Sequence, residues 1–227
     1  MENEKIIISL GGSLIVPNEI DVQFLKDFKD FIISETQIGK KFVIITGGGK
    51  TARAYQAAAK SITTPDNNDL DWLGIASLRL NAELLRIVFD DYADAHIVEN
   101  NGEDFVFTKP IIIGSAYKPG SSSDLGAVKA AFNVGAKKVI NLSNIDYAYD
   151  KDPNKYPDAR KLETISWGDY RNLIPNSWEP GLSTPFDPIA SEKAESLGIE
   201  VAIMNGRNIE NLKNYLDGKT FVGTVIK

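Results

Sequence analysis

The sequence has no cysteine and a single histidine. Without cysteine there is no disulfide framework, thiolate zinc site, iron–sulfur cluster or thiol nucleophile. With His96 alone, an imidazole metal site or a serine–histidine pair would rest on one residue, and His96 heads a short apolar segment that reads as packing. Long apolar runs are also missing. The stretch from Ile6 to Val16 is about half the length of a membrane helix and contains Gly11 and Gly12. The opening residues, MENEK, are too polar for a signal peptide, so the expected compartment is the cytoplasm. Positive charge is in deficit: 25 Lys and Arg against 31 Asp and Glu give a net charge of −6. A broad nucleic-acid footprint is therefore not expected, although a local cationic site for a small anion fits the composition. Trp72, Trp167 and Trp178 are scattered and read as core or interface.

What is present is the patterning of a globular protein of 227 residues, 43% hydrophobic and 25% charged. Continuous apolar runs of strand length occur at 5–10, 41–46, 110–114, 137–142, 200–204 and 221–226, with shorter ones near 96–98 and 105–107. Between them lie helical periodicities. Val22, Leu25, Phe28 and Ile32 follow an N-cap at Asp21, and further helices are predicted at 51–60, 70–89, 124–133, 187–197 and 209–216. A short strand and helix are predicted within 161–173, and loops at 61–69, 144–160 and 175–185. Strands without polar alternation are covered on both faces, so the alternation predicts an α/β, three-layer αβα sandwich around a mostly parallel sheet. No linker stands out, and 1–227 reads as one domain with lobes at 1–136 and 137–227.

Three glycine turns follow strands: Gly11-Gly12-Ser13, Gly47-Gly48-Gly49-Lys50 and Gly114-Ser115. At the carboxyl ends of parallel strands, such turns bring backbone N–H groups and the positive end of the next helix toward an anion. With Lys50 and Arg53 in the first turn after the second of them, phosphate is the expected ligand. The Gly49-Lys50-Thr51 triplet is not a P-loop, because Ile44 occupies the position of that motif's first glycine. Gly47-x-Gly49-x-x-Ala52 does fit a relaxed dinucleotide fingerprint, but Asp66, Asp69 and Asp71 lie in or just after a polar loop rather than ending a second strand. A dinucleotide-binding oxidoreductase is thus an alternative. Pro119-Gly120-Ser121-Ser122-Ser123-Asp124 reads equally as a helix cap and as a set of hydroxyl donors for phosphate or ribose. Asp146, Asp150, Asp152 and Asn154 alternate like a calcium loop, yet Lys155 and Lys161 stand where the glycine and closing glutamate belong. Tyr147, Tyr149 and Tyr156 could wall a base pocket or pack the loop.

The order of these pieces resembles the amino-acid kinase superfamily, and within it the archaeal-like uridylate kinase branch. The resemblance is carried by Gly11-Gly12-Ser13, Gly47-Gly48-Gly49-Lys50-x-x-Arg53, Asp71-x-x-Gly74-Ile75, Asn81, Pro119-Gly120 through Asp124, Asn144-x-Asp146-x-x-Tyr149-x-x-Asp152-Pro153, Asp187-x-x-Ala190 and Gly223-Thr224. It spans nearly the whole chain. It implies phosphoryl transfer from ATP, with magnesium, to UMP. It also implies UMP contacts from Gly47, Gly48, Gly49, Arg53, Asp71, Ser122 and Ser123. Gly11, Gly12 and Ser13 would cradle the transferring phosphate, Asn144, Asp146, Tyr149 and Asp152 would hold ATP, and Asp187 would organise the catalytic centre. A homohexamer is the family's usual assembly, with Trp72 or the long helix as a candidate interface, and the 1–136 lobe would take the acceptor and the 137–227 lobe the ATP.

Two positions depart from the family pattern. Ser9 stands where much of the superfamily has a lysine, and Lys50 is the expected replacement cation, with Lys118 the other candidate. Tyr147 replaces a glycine after the loop aspartate, which bears on the donor nucleotide. Alternatives inside the superfamily are another small-molecule kinase or an oxyanion-binding protein of the molybdenum-storage type. The isopentenyl phosphate kinases carry a histidine near their glycine turn, and no histidine lies there in this chain.

Overall fold

The computed structural model describes residues 4–120, 122–177 and 184–227. Ser121, Trp178 and part of the predicted 175–185 loop lie outside the described residues. The first half runs β1 (Lys5–Leu10), α1 (Gly12–Ile15), α2 (Val22–Gln37), β2 (Lys41–Thr46), α3 (Gly49–Ile62), α4 (Asn67–Phe89), β3 (Ile111–Gly114) and α5 (Ser123–Val134). The second half continues with β4 (Lys138–Ser143), a small hairpin of β5 (Ala148–Tyr149) and β6 (Lys161–Leu162), then β7 (Thr164–Ile165) and α6 (Trp167–Leu173). It ends with α7 (Pro188–Leu197), β8 (Glu200–Asn205), α8 (Ile209–Leu216) and β9 (Thr224–Ile226). The central sheet has the order β3-β2-β1-β4-β8-β9-β7, and only the β8–β9 pairing is antiparallel.

The apolar runs explain why the sheet is central. In β1, Ile6, Ile8 and Leu10 point into one core with α2, α4 and α8, while Ile7 joins a second core with α5, α6 and α7. A strand whose successive side chains are all apolar can satisfy both faces only between two helix layers. The result is the expected α/β three-layer sandwich.

Five local expectations are corrected. The strand predicted at 96–98 is reduced to isolated bridges, Ala93 to Ile111 and Val98 to Gly114, and 105–107 forms no strand. Phe105 and Phe107 instead meet edge to face at 6.4 Å and pack on the α5-side core. Helix α4 begins at Asn67, within the predicted loop, because the Asp66 carboxylate caps it by accepting from Asp69 N at 2.8 Å. Helix α3 is longer than predicted at both ends, since Gly49 and Lys50 already belong to it. The last strand starts at Thr224, because Phe221 turns away to meet Tyr215 edge to face at 4.8 Å.

Candidate active site

The parallel register brings the strand ends level. Leu10 pairs with Thr46 and Leu142, Ile45 with Gly114, and Ser143 with Asn205. All three predicted glycine turns therefore emerge on one rim. Ladder bonds extend into them: Gly11 N donates to Leu142 O at 2.8 Å and Gly47 N to Leu10 O at 2.9 Å. The first two turns touch. A Cβ on Gly12 would lie 2.0 Å from Gly49 N and 2.6 Å from Gly47 C, and Gly49 itself has φ +64°. Backbone meets backbone here, so no side chain of any size fits at Gly12.

Helix starts divide into two kinds. Six are capped by a side chain that accepts a backbone N–H: Asp21, Asp66, Ser122, Ser166, Asp187 and Asn208 for α2, α4, α5, α6, α7 and α8. The other two, α1 after Gly11 and α3 after Gly48, have no side-chain cap. These are the helices at the touching glycine turns. Lys50 N donates to Val16 O at 3.0 Å and Leu14 N to Gly11 O at 2.9 Å, which leaves the other first-turn N–H groups, at the positive end of the helix dipole, for an outside acceptor. Lys50 sits in the first turn of α3, exposed, with Nζ on Asn18 Oδ1 at 2.6 Å, and Arg53 is exposed one turn on.

Helix α4 frames the same turns. Asn81, buried, donates through Nδ2 to Gly47 O at 2.7 Å, and Thr46 Oγ1 donates to Leu78 O at 2.9 Å. Near the start of α4, Asp71 is 7% exposed and its Oδ2 accepts from Gly120 N at 2.5 Å. Burial pushes this carboxyl above its ordinary range, and the Gly120 N–H opposes the shift. Asp71 thus ties α4 to the 115–122 loop that leads into α5. Asp66, Asp69 and Asp71 all belong to the first turns of α4 or its cap, not to a strand end, so the acidic partner of a dinucleotide site is lacking and that alternative falls.

The loop ends on Ser122, whose Oγ caps α5 through Leu125 N at 3.0 Å and also donates to Asp187 Oδ2. Asp187, 5% exposed, caps α7 by accepting from Ala190 N at 2.8 Å, with Pro188 in the first turn. The N-termini of α5 and α7 therefore converge on one buried carboxylate. Beside it lies a second that the motifs pointed to only as a cap, Asp124. Its Oδ1 accepts from Ser9 Oγ and Asn141 Nδ2, both at 2.8 Å, and its Oδ2 from Asp187 N at 3.2 Å. Ser9 and Asn141 are register partners, each a polar residue in an otherwise apolar strand, and that coincidence is the sequence signal for the network. Tyr170 completes it, donating to Phe186 O at 3.0 Å and accepting from Phe186 N at 2.7 Å, which fixes the residue before Asp187.

Every donor to Asp124 and Asp187 named here is neutral. Burial first, then the Asp187 charge beside it, pushes the Asp124 carboxyl up to about 7. Burial raises Asp187 as well, against the hydrogen bonds from Ser122 and Ala190. Two carboxylates this close, without a cation, titrate as a pair and resist double ionisation.

The residues expected on the donor side lie on the other part of the rim. A cleft of about 550 Å³ runs between the β5–β6 hairpin and α6, lined by Asn144, Tyr147, Tyr149 and Asp152 among others. Asp146 is exposed outside that cleft and accepts from Asn205 Nδ2 at 3.0 Å. Asp152 accepts from Asn154 N at 2.9 Å, a turn bond that draws its carboxyl below the ordinary range. Thr224 pins the hairpin by accepting from Ala148 N at 2.9 Å. A roomier cleft of about 750 Å³ lies on the other flank, against α8. It touches none of the glycine turns at 11–13 and 47–49, so volume alone does not mark the site.

The amino acid kinase family profile matches residues 4–96 and 96–205. A uridylate kinase of Thermoplasma volcanium is 34% identical, over 99% of this chain and 98% of its own, and one of Methanococcus aeolicus is 30% identical over 98% and 99%. The crystal structure of a uridylate kinase from Archaeoglobus fulgidus superposes with a TM-score of 0.81 at 27% identity, covering 99% and 100% of the two chains. A UMP kinase from Ureaplasma parvum shares the fold at a TM-score of 0.79 and 18% identity, with both chains fully covered. With a matching profile along most of its length, relatives of equal extent and two uncapped helices meeting at paired glycine turns, the chain belongs to the amino acid kinase family.

Proposed function

We propose that the chain is a UMP kinase, transferring the γ-phosphoryl group of ATP to UMP to give UDP. The full-length likeness to uridylate kinases supports the substrate pair. The observation that carries the chemistry is the contact of Gly12 with Gly47–Gly49 at two uncapped helix starts. Phosphoryl transfer asks a protein mainly to align two polyanions and to neutralise charge as the transferring group moves. Amides of Gly12 and Ser13 would receive that group, with Gly11, whose own N–H is held by Leu142 O, shaping the turn that presents them. Gly47, Gly48 and Gly49 line the acceptor side, Arg53 takes the UMP phosphate, Asp71 a ribose hydroxyl, and Ser122 and Ser123 the rest of the acceptor. Lys50, in a helix first turn on the rim, supplies the cation for which Ser9 leaves no place. Asp187 holds the N-termini of α5 and α7 in position.

On the donor side Asn144, Asp146, Tyr149 and Asp152 hold ATP, so residues 1–136 act as the acceptor lobe and 137–227 as the ATP lobe. Among the described residues no group of three or more His, Asp or Glu is placed to hold a metal. Asp124 and Asp187 are occupied by protein donors. Magnesium, which the family resemblance implies, would arrive with the triphosphate and offset its charge.

A coupled ADP-release assay tests the reading. UMP should be consumed well ahead of CMP, AMP and isopentenyl phosphate, and preference for any of the other three would replace the assignment. Self-association, a hexamer by family likeness, has a candidate surface in α4, where Trp72, Leu80 and Ile87 are exposed at helical spacing. Sedimentation of the wild type and of Leu80→Asp would show the assembly and its loss. No helix among the described residues is long and apolar enough to cross a membrane, and a cytoplasmic location is proposed with the substrates.

A further inference from the structure

Beneath the 115–122 loop is a polar arrangement that the motifs do not explain. Asn101 lies between two glycines: a Cβ on Gly114 would sit 2.6 Å from its Oδ1, and one on Gly126 3.1 Å from its Nδ2. Space for this carboxamide depends on both glycines, one ending β3 and one in the first turns of α5. Nδ2 donates to Ser115 O at 2.6 Å, which fixes the amide's orientation, and Asn133 Nδ2 donates to Asn101 O at 2.8 Å. The remaining atoms are left over. Asn101 Oδ1 and Ser115 Oγ are buried, in residues 3% and 0% exposed, and neither has a hydrogen-bond partner. An unmatched buried polar atom costs about 1–3 kcal/mol, and two lining one cavity point to a shared partner.

The cavity decides what that partner is. Both residues line a space of about 10 Å³, together with Tyr117 and Ser122 of the loop. That volume is about one water and too little for a nucleobase. We infer that Asn101 Oδ1 and Ser115 Oγ hold one ordered water beneath the 115–122 loop, and that this water is a positioning element for the acceptor nucleotide. A water has the needed donors for the fixed carbonyl Oδ1 and can also accept from the serine hydroxyl. It would fasten the first residue of a loop whose Gly120 N binds Asp71 and whose Ser122 binds Asp187. Loss of the water loosens the loop on the acceptor side while leaving the touching turns at 11–13 and 47–49 and the donor cleft in place. The consequence for catalysis rests on the acceptor assignment made above; the water itself does not.

Two measurements test it. A crystal structure at a resolution that shows ordered solvent should place a water within about 3.2 Å of both oxygens. Ser115→Ala removes one of its partners without adding volume. It should raise KM for UMP about five-fold or more, with KM for ATP and kcat within about two-fold of wild type. Density without that water overturns the inference, as does a KM for UMP that stays within about two-fold, or a joint loss in kcat and both KM values. If Ser115→Ala does not fold, Ser115→Cys, close in size and a weak donor, serves for the same kinetic comparison. A wild type that does not phosphorylate UMP would defeat the functional reading alone, because the density still judges the water.

Discussion

The two parts of the rim are built from different materials. The Gly11–Gly12 and Gly47–Gly49 turns are backbone against backbone, nearly all buried, with contact distances that admit no side chain. The donor-side loop of 144–160 is a run of largely exposed polar side chains held by turn bonds and surface ion pairs, such as Lys151 with Asp158 at 2.7 Å and Arg160 with Asp150 at 3.2 Å. The first arrangement is preorganised: its amides point where the connectivity of the sheet puts them, and nothing need reorganise when a phosphate arrives. The second is adaptable, since exposed pairs contribute little to stability and can be exchanged at small cost. On the proposed assignment, the protein is rigid where charge would move during transfer and permissive where a base would only be held.

That contrast is broken most severely at Gly12. Gly12→Ala places a methyl 2.0 Å from the Gly49 backbone nitrogen. Backbone cannot yield as a flexible side chain can, so destabilisation of about 3 kcal/mol or more is expected, with activity lost even in the folded fraction. Denaturant melts followed by the ADP-release assay would show both. A tolerated alanine, stable and active, would mean that the two turns are not locked together.

Lys50→Ala comes next, because it removes a charge from the rigid side without disturbing the glycines. If Lys50 supplies the cation missing at Ser9, kcat should fall about 100-fold, in the range found for loss of one transition-state donor. A kcat within a few-fold of wild type would pass the role to Lys118.

A third measurement concerns the carboxyl pair between the two regions. The Asp124 pKa is raised in the folded protein, to about 7, above its unfolded value near 3.8. The folded state then binds more protons between those values, so the contribution of this group to stability is fully present below pH 4 and is lost as pH rises through 7. Asp124→Asn removes the titration. The melting temperature of the variant relative to wild type should therefore rise between pH 5 and pH 8, by about 3 °C or more. Equal shifts at both pH values would mean that Asp124 is ionised throughout.

The smallest effect is expected on the permissive side. Tyr147 lines the donor cleft half-buried, with Lys161 Nζ 4.8 Å from its ring centroid. Tyr147→Gly should change the ratio of kcat/KM for ATP over GTP by less than about ten-fold, without altering KM for UMP. A larger change would make the donor side as demanding as the glycine rim.

Much of this was legible in the residues. The uninterrupted Ile and Val runs required a buried sheet, and the alternation with helical periodicities required a mostly parallel one. The cap Asp21 was readable from its position before apolar periodicity, whereas Asp187 reads in sequence as the first residue of a helix and Asp66 was hidden by the Pro and Asn of the stretch around it. The glycine turns and their cations could be named but not brought together. The network around Asp124 was not found, because Ser9 and Asn141 look like isolated polar residues until strand register sets them side by side. Phe105-Val106-Phe107 looked like a strand because it is a short run of aromatic and β-branched residues, yet the two rings pack edge to face on each other and on the α5-side core.

What the sequence determined by itself is the class of structure and the kind of chemistry. Hydrophobic period and capping are local properties, and the lack of cysteine and of all but one histidine leaves charge and amides as the working groups. What only the tertiary structure decided is proximity. The contact of Gly12 with Gly49, the pairing of Asp124 with Asp187 and the leftover oxygens of Asn101 and Ser115 join positions far apart in the chain. Strand order and register set those distances, and both are settled by how two helix layers close over one sheet rather than by the preference of any single segment.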